Sequence, residues 1–479
     1  MSNLLASLLS TAGTLDAYGR VLEVAQNNVA NASTAGYAKQ RLDLHALPFD
    51  PAGGVTGGVR AGSVVSARSE YAELAVRRQT SALGYDTQLV DSLTSIQSNF
   101  DISGNQGIPQ ALNNLLQSFS AWGAIPDNQS ARQTVIERAS DLAYNFQRTS
   151  HDIFARARDT ELQVGRTVAQ VNQTVAELQG YNQLAMQGNN HDSGLDARMH
   201  AALEELSSLV DVDATFQNDG TVNLMLNGES PLLLGDRAFA LNASLYQPQE
   251  PVPVNPSGPA VMRVIASDGS DVTSKTTGGQ LGALLKLRNQ ILPEIMGDST
   301  QAGSLNVMAK QFADRVNELL TSGNITNGPP AEAGVPLFTY DTTDATAVAR
   351  TLSVNPDLTA EQLASISTGP PEVSNGVPLA LSAMANPLQD ADKVNGLSFS
   401  QFFGEMAARV GSLLRDGQNN QDVQQSLLSQ AKDLRQQYQG VSLDEEATIL
   451  MQFQRAYQAT SKFLSVLDQL TETTINILR

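Results

Sequence analysis

Histidine, cysteine and grouped acidic residues are the side chains from which most catalytic and metal sites are built. The chain has four histidines and no cysteine. It contains no His-Glu-x-x-His run and no Cys/His pattern, so a metal site is not expected. The lack of cysteine also excludes a disulfide scaffold, a thiolate metal site and a cysteine nucleophile.

Three short motifs hold residue types of known chemistry at spacings that do not suit it. Adjacent residues in "HDS" at 191–193 cannot converge on one reacting atom as a catalytic triad must. The glycine-rich "GGVTGGVRAG" has no Gly-Lys-Ser/Thr and therefore no phosphate cradle. The segment "DVDATFQNDG" at 211–220 lacks the glycine and glutamate of a calcium loop, so it is expected to be a turn. The sequence predicts no catalytic residue, no metal and no cofactor.

The composition limits the kind of partner. The 479 residues carry a formal net charge of −19, which opposes binding to nucleic-acid phosphates or anionic lipid. No stretch reaches the roughly 18 apolar residues of a membrane span, so membrane insertion is not expected. The opening segment has no basic residue before Arg20, which argues against a general secretory signal.

Both ends of the chain carry apolar residues at alternating spacings of four and three, the pattern of a helix that packs lengthwise on another helix. The predicted packing positions are Leu4, Leu8, Leu15, Leu22 and Val29 at the N-terminus, and Leu450, Phe453, Tyr457, Leu464, Leu467 and Leu478 at the C-terminus. Ser442 and Glu445 form a capping box that predicts where the second helix begins. Phe463 and Leu470 lie on a flanking stripe, so the apolar face is wider than a two-helix seam requires. Two readings remain: a helix hairpin inside one core, or a paired coiled coil that offers apolar surface to other subunits.

The stretch "NNVANASTAGYAKQR" at 27–41 interrupts this helical pattern. Short amide and hydroxyl side chains end a helix by bonding nearby backbone groups, and glycine permits a left-handed turn. The segment is therefore predicted to be a fixed elbow between the terminal helix and an outer body, although an ordinary loop is the alternative. The predicted elbow residues are Asn27, Asn28, Asn31, Thr34, Gly36 and Tyr37.

The overall pattern predicts a mainly α fold with an inserted β-rich domain. Helical periodicity dominates 70–210, 278–322, 398–438 and 443–478, short apolar runs at 211–275 indicate strands, and 57–68 resembles a strand pair. Trp122 is expected to be a core anchor. Three domains are predicted: a coiled-coil axial core (1–56 and 440–479), a long-helix bundle (57–210 and 276–439), and an outermost β-rich domain (211–275).

Several of these segments resemble bacterial flagellar axial proteins. "NNVANASTAGY" after a heptad helix is similar to the signature of that class, and "GYAKQR" is more like the hook-associated protein 1 family than hook or rod proteins. The stretches 111–147 and 440–478 are similar to that family's helical domain and C-terminal signature. Ala35 stands where the family usually has proline.

The resemblance implies a structural protein, not an enzyme, in a ring of its own copies that joins hook to filament. The implied partners are the hook protein, the second junction hook-associated protein, and an export chaperone that holds the C-terminal helix, with Phe463 and Leu470 as candidate contacts. The implied location is the extracellular flagellum, reached through the flagellar type III apparatus after a cytoplasmic stage. A hydrolase is an alternative for which no convergent site can be assembled. Another axial protein, such as a hook or rod subunit, is a nearer alternative.

Overall fold

The structure is a computed structural model that describes residues 2–50, 55–100, 106–189, 192–248, 255–328, 330–369 and 371–477. It is mostly helical. The helices are α1 (Ser2–Ala30), α2 (Glu70–Gln97), α3 (Gly107–Ala124), α4 (Gln129–Leu184), α5 (Ser193–Leu209), α6 (Gly279–Lys286), α7 (Leu292–Met296), α8 (Ser304–Thr321), α9 (Val348–Thr351), α10 (Gly376–Ala383), α11 (Phe399–Gln439) and α12 (Leu443–Ile477).

The strands are short and all of their pairings are antiparallel. They are β1 (Gln40–Ala46), β2 (Phe49–Asp50), β3 (Val55–Thr56), β4 (Val59–Ser66), β5 (Val212–Phe216), β6 (Val222–Leu226), β7 (Ser230–Leu234), β8 (Arg237–Ala238), β9 (Asn242–Tyr246), β10 (Val261–Ile265), β11 (Asn324–Thr326), β12 (Glu332–Ala333), β13 (Phe338–Thr339) and β14 (Ser353–Val354). Strands β5 to β8 form a four-stranded sheet, and the other pairs are β1–β4, β2–β3, β9–β10, β11–β12 and β13–β14.

The chain folds into two compact units, and each is built from several segments. The first unit comprises Met1–Leu83, Val171–Phe239 and Val423–Arg479, and the second comprises Gly84–Gln170 and Ala240–Asp422. The strands expected as one β-rich segment belong to both: β5–β8 lie in the first unit and β9–β10 in the second. The domain boundaries expected from the sequence stay a prediction.

In the first unit the two terminal helices contact each other. The rings of Tyr18 on α1 and Phe453 on α12 meet edge to face, with their centroids 5.5 Å apart. Gly19 of α1 lies next to the ring of Tyr457. Such pairing is what the heptad spacing predicts, because apolar residues at alternating three and four fall on one side of a helix. The coiled-coil winding of the pair stays a prediction.

A β-ribbon of the same unit lies along α1. Strands β1 and β4 form this ribbon, and the backbone N–H of Val59 donates to the Thr14 hydroxyl at 3.1 Å. The hydroxyl of Ser10 donates to the Gly57 carbonyl. One strand of the pair expected within 57–68 is thus present, but its partner is β1, which lies earlier in the chain. In β1, Leu42 and Leu44 alternate with polar residues, which is the pattern of a strand with one face packed.

The second unit has a large apolar core. Trp122 of α3 is fully buried in it, as the sequence predicts. Phe312 of α8 meets Phe399 of α11 edge to face, with centroids 5.1 Å apart, and meets Phe338 at 6.0 Å. Edge-to-face rings of this kind add specific geometry to the burial of large apolar area.

The structure confirms the mainly helical fold. Helices α2 to α5 occupy the segment 70–210, and strands β5 to β10 occupy 211–275. Helices α11 and α12 match the two expected C-terminal helices closely. The outermost position of a β-rich domain stays a prediction.

Candidate functional site

The elbow begins where α1 ends, and Asn28 holds it closed. The Asn28 side chain donates to the Gln40 carbonyl at 2.8 Å and accepts from the Gln40 N–H at 2.9 Å. It also accepts from the Tyr37 hydroxyl at 2.9 Å, and it is only 1% exposed. Buried backbone N–H and carbonyl groups need hydrogen-bond partners. The Asn28 amide thus serves both backbone groups of Gln40, as a neighbouring strand would.

The remaining polar residues of the elbow bond to one another. Asn31 donates to both the carbonyl and the side-chain oxygen of Asn27, at 3.0 and 2.8 Å. Thr34 donates to Asn31 at 3.2 Å. Asn27 also reaches the Ser193 hydroxyl of α5 at 3.3 Å. The concentration of amides predicted an elbow stabilised by local bonds, and these contacts agree with that reading.

Gly36 occupies the most constrained position of the elbow. Its φ is +72°, in the left-handed region that only glycine adopts without cost. A Cβ added there would overlap the carbonyl oxygen of Ala197 on α5. The Gly36 carbonyl accepts from the guanidinium of Arg68 at 2.7 Å. Backbone conformation and lack of space therefore both require glycine here.

A network of buried charges lies behind this glycine, with the carboxylate of Glu73 at its centre. Arg68 pairs with Glu73 and with Asp196, the latter at 2.6 Å. Arg435 bonds Glu73 at 3.3 Å and Glu204 at 2.8 Å. The side chains of Arg68 and Glu73 are 6% and 3% exposed, so these groups rely on one another for the solvation that water would give.

Gln439, the last residue of α11, ties three passes of the chain together. Its side chain donates to Glu73 at 2.6 Å and accepts from the Ser69 N–H at 3.0 Å. Its carbonyl accepts from the Lys39 N–H at 2.9 Å. The segments 37–40, 66–69 and 439–446 therefore meet at one point. We call the residues of this point and of the charge network the elbow clamp: Lys39, Arg68, Ser69, Glu73, Asp196, Glu204, Arg435 and Gln439.

An ion pair closes the clamp on the side of α12. The Lys39 ammonium lies 2.8 Å from Glu445 and 3.2 Å from Glu446. Burial alone would lower the pKa of Lys39, but the bonds to the two carboxylates outweigh it and raise that pKa. The hydrogen bond from Lys39 lowers the pKa of Glu445. The capping box is half formed: the Glu445 N–H reaches Ser442 at 3.4 Å, while the Glu445 side chain points to Lys39.

Burial and charge shift the pKa values of two further groups on α5. Burial, reinforced by Arg68, Arg77 and Arg435, holds the pKa of His200 well below its usual 6.5. Burial would raise the pKa of Glu204, but hydrogen bonds from Lys432 and Arg435 outweigh this and lower it. A neutral His200 thus lies against the charged residues of the clamp.

Most of the predicted packing residues on α1 and α12 are partly or fully withdrawn from solvent. Leu4, Leu8, Leu15 and Leu22 are half-buried, as are Leu450, Phe453 and Leu464, while Leu467 is buried. Tyr457 is 38% exposed. Val29 is exposed, because Asn28 takes the inward position at the end of α1, so Val29 is not part of the seam. Leu478 lies outside the described residues.

The stripe beside the seam is open to solvent. Phe463 and Leu470 are 55% and 50% exposed, and Val466 and Met451 on the same helix are similar. No facing element covers these side chains among the described residues of the first unit.

Sequence reasoning missed most of the clamp. Glu73 and Arg77 are buried on α2, on the same side as Ala72 and Val76. A charged residue at an inward helical position is a signal for a buried ion pair, and that signal was available. Gln439 and Asp196 have no such signal, since polar residues at helix ends are common.

The described residues offer little for other chemistry. They contain no group of three or more His, Cys, Asp or Glu that could hold a metal ion. Within the same ranges, no helix is both long and apolar enough to cross a membrane.

Comparison with known proteins identifies the family. The family model described as "Flagellar hook-associated protein FlgK helical domain" matches residues 93–338. The chain belongs to the FlgK family of flagellar hook-associated proteins. A second model, for the C-terminal part of the flagellar basal body rod proteins FlgE, FlgF and FlgG, matches residues 424–477.

FlgK relatives align over the whole chain. "Flagellar hook-associated protein 1" of Bacillus subtilis is 24% identical, over 99% of each chain. The protein of the same name from Escherichia coli is 24% identical over 100% of each chain. The solved structure of the flagellar hook junction protein FlgK from Burkholderia pseudomallei is similar to this fold, with a TM-score of 0.61, 15% identity, and coverage of 78% of this chain and 100% of that one.

Family membership establishes the general role. The chain is an axial structural component of the bacterial flagellum at the hook–filament junction, and it is not an enzyme. Association with hook components and with its own kind follows from that membership. The elbow and the terminal helices are the features of this chain that such a role would use.

Proposed function

We propose that copies of this chain form a ring between hook and filament, in which α1 and α12 wind as a coiled coil and present their remaining apolar face to neighbouring copies. The observation that carries the proposal is the contrast along α12 between buried Leu467 and the exposed stripe of Phe463, Val466 and Leu470. Neighbouring exposed apolar side chains on a folded chain are a feature of interaction sites.

The proposed ring also needs a defined direction for each subunit. The elbow clamp would supply it, because the clamp ties the end of α1 and the start of α12 to α2 and α5 through bonds with little freedom. Gly36 against Ala197 and Asn28 against Gln40 are contacts that a different elbow angle would break. The predicted axial core of 1–56 and 440–479 fits this division of roles, with the helical bundle and the β-rich segment 211–275 farther out.

The finer partner assignments are those that the family resemblance implies. On either side of the ring we expect the hook protein and the second junction hook-associated protein. Before assembly we expect the exposed stripe at Phe463 and Leu470 to be covered by a cytoplasmic export chaperone. After that stage we expect export through the flagellar type III apparatus to an extracellular position at the junction.

Two matched substitutions on α12 test the ring proposal. Val466→Asp puts a charge on the exposed stripe, where a dry contact between copies would make an unpaired carboxylate costly. Gln458→Asp makes the same charge at an exposed polar position of the same helix. We expect the Val466→Asp protein that reaches the cell exterior to fail to retain filaments, so that flagellin appears in the medium, whereas Gln458→Asp cells should keep their filaments.

Measuring the protein inside and outside the cell separates this defect from an export defect. A fall in the exported amount for Phe463→Asp or Leu470→Asp would support the chaperone contact. Normal filaments on Val466→Asp cells would show that the stripe is not a contact between copies.

A further inference from the structure

His200 is buried inside the elbow clamp without a full set of partners. It is 3% exposed and its ring stacks on Phe216 of β5, with centroids 4.7 Å apart and planes 14° apart. Its Nε2 lies 3.5 Å from Asp196, and its Nδ1 has no hydrogen-bond partner. A neutral imidazole tolerates one unpaired nitrogen far better than an imidazolium would, because the charged form needs donors satisfied on both sides.

The charges around the ring disfavour a second proton. The charged groups that face it from its own helix and from the elements packed against it are Asp196 and Glu204 of α5, Arg68 before α2, Glu73 and Arg77 of α2, and Arg435 of α11. Of these, Glu73 and Arg77 are buried, and the side chain of Arg68 is 6% exposed. Two nitrogens of Arg77 also have no hydrogen-bond partner. These six groups carry three positive and three negative charges, so they balance while His200 is neutral, and a protonated His200 would leave the buried group with an excess positive charge.

We propose that His200 is a proton-sensitive latch: it is neutral while the elbow is clamped, and its protonation in mildly acidic solution loosens the clamp around Gly36. The path is short. His200 contacts Asp196, Asp196 holds Arg68 at 2.6 Å, and Arg68 donates to the Gly36 carbonyl at 2.7 Å. Ala197, whose carbonyl oxygen leaves no room beside Gly36, follows Asp196 directly in α5.

The consequence for the flagellum rests on the proposed function, since a loosened elbow would weaken a junction only if the elbow directs the subunits of a ring. The latch itself does not depend on that role. It is a property of the isolated chain and can be measured there.

Amide hydrogen exchange of the full chain at pH 7.5 and 5.5 tests the latch. The N–H groups of Lys39 and Gln40 report on the clamp, because they donate to the Gln439 carbonyl and to Asn28. Their protection factors, from which the intrinsic pH dependence has been divided out, should fall by up to about tenfold at pH 5.5. A tenfold fall between pH 7.5 and 5.5 is expected if one histidine has a pKa of about 6.5 in the open state and stays neutral in the closed state.

Variants assign the effect to His200. His200→Phe keeps a ring to stack on Phe216 and cannot titrate, so its protection factors should not change with pH. His151→Gln alters an exposed histidine and should retain the wild-type pH dependence. If His200→Phe does not fold, Arg77→Met serves instead: it removes one facing cation, so the fall in protection should shrink.

The outcomes are decisive. An equal fall in His200→Phe, or an unchanged fall in Arg77→Met, would overturn the latch. Either result would leave the junction role intact, because that role is tested by filament retention at neutral pH. Conversely, normal filaments on Val466→Asp cells would overturn the ring contact and leave the latch standing.

Discussion

The two regions of the first unit that the proposed ring would use are stabilised by different kinds of contact. The pair α1–α12 is held by a narrow apolar seam, of which Leu467 is the most buried predicted member, and leaves an apolar stripe exposed. The elbow next to it is held by buried amides, ion pairs and one glycine. Apolar contact is non-directional, while buried polar bonds require defined distances and angles.

This difference suggests a division of work. A non-directional seam accepts new neighbours easily, which suits a surface that meets other copies. The hydrogen bonds and ion pairs of the clamp form only in a narrow range of distances and angles, which suits a joint that sets an angle. In the helices, the effect of a substitution should therefore depend on the size of the new side chain. In the elbow, it should depend on whether the new side chain can make the same hydrogen bonds and ion pairs.

The largest expected effect is removal of the clamp's central carboxylate. Glu73→Ala leaves Arg68 and Arg435 without their shared anion, and breaking a buried pair costs about 3–5 kcal/mol. The free energy of unfolding of the first unit, from urea titration, should fall by that amount. Glu205→Ala removes an equal charge from an exposed position of α5 and should change it by less than about 0.5 kcal/mol. A similar loss in both variants would mean that net charge, not the clamp, is responsible.

The next effect in size is at Gly36. Gly36→Val forces a β-branched residue into a φ of +72°, at about 1–3 kcal/mol, and its Cβ also overlaps the Ala197 carbonyl oxygen. We expect lost motility while the core around Trp122 stays folded, as followed by tryptophan fluorescence. Gly13→Ala in α1 is the control, because no atom lies within 4 Å of the new methyl. Wild-type swimming of Gly36→Val would refute a rigid elbow.

The same contrast explains what the sequence could predict. The seam follows from periodicity, which is a local property, so Leu8, Leu464 and Leu467 were predicted from spacing alone. The requirement for glycine at 36 was predicted from the turn, but its neighbour Ala197 lies far along the chain and has no local signal. Glu73 is one of 49 acidic residues, and only its place on an inward helical face distinguishes it.

Two errors have local physical causes. Val29 fits the heptad spacing, but Asn28 turns inward because Gln40 needs a hydrogen-bond partner for its backbone. Strand β1 was not predicted, although Leu42 and Leu44 alternate with polar residues there. The strand begins within the polar segment 27–41, so its first residues carry no apolar alternation.

A smaller effect should distinguish the seam from the stripe. Leu467→Ala removes a buried side chain and should lower the free energy of unfolding by about 2 kcal/mol. This is the lower end of the range for such changes, because two helices can move together and close the cavity. Phe463→Ala removes an exposed ring and should leave the stability of the isolated chain nearly unchanged. Circular dichroism during thermal unfolding gives both values. A larger loss for Phe463→Ala would mean that the stripe is covered within the chain.

The smallest effect is expected at the ion pair where clamp and helix meet. Glu445 is exposed, and Glu446, which is buried, also lies beside Lys39. Glu445→Gln should therefore change stability little at pH 7, and 0.5 M salt should remove what difference there is. Because the pKa of Glu445 is lowered in the folded chain from 4.5, the pair stabilises above that pH and is lost as the pH falls through the lowered value. The Glu445→Gln variant should thus lose less stability than the wild type when the pH is lowered below about 4.5. Glu446→Gln leaves Lys39 with only the exposed partner, so it should be the more damaging of the two. Equal effects would show that burial of Glu446 contributes nothing to the clamp.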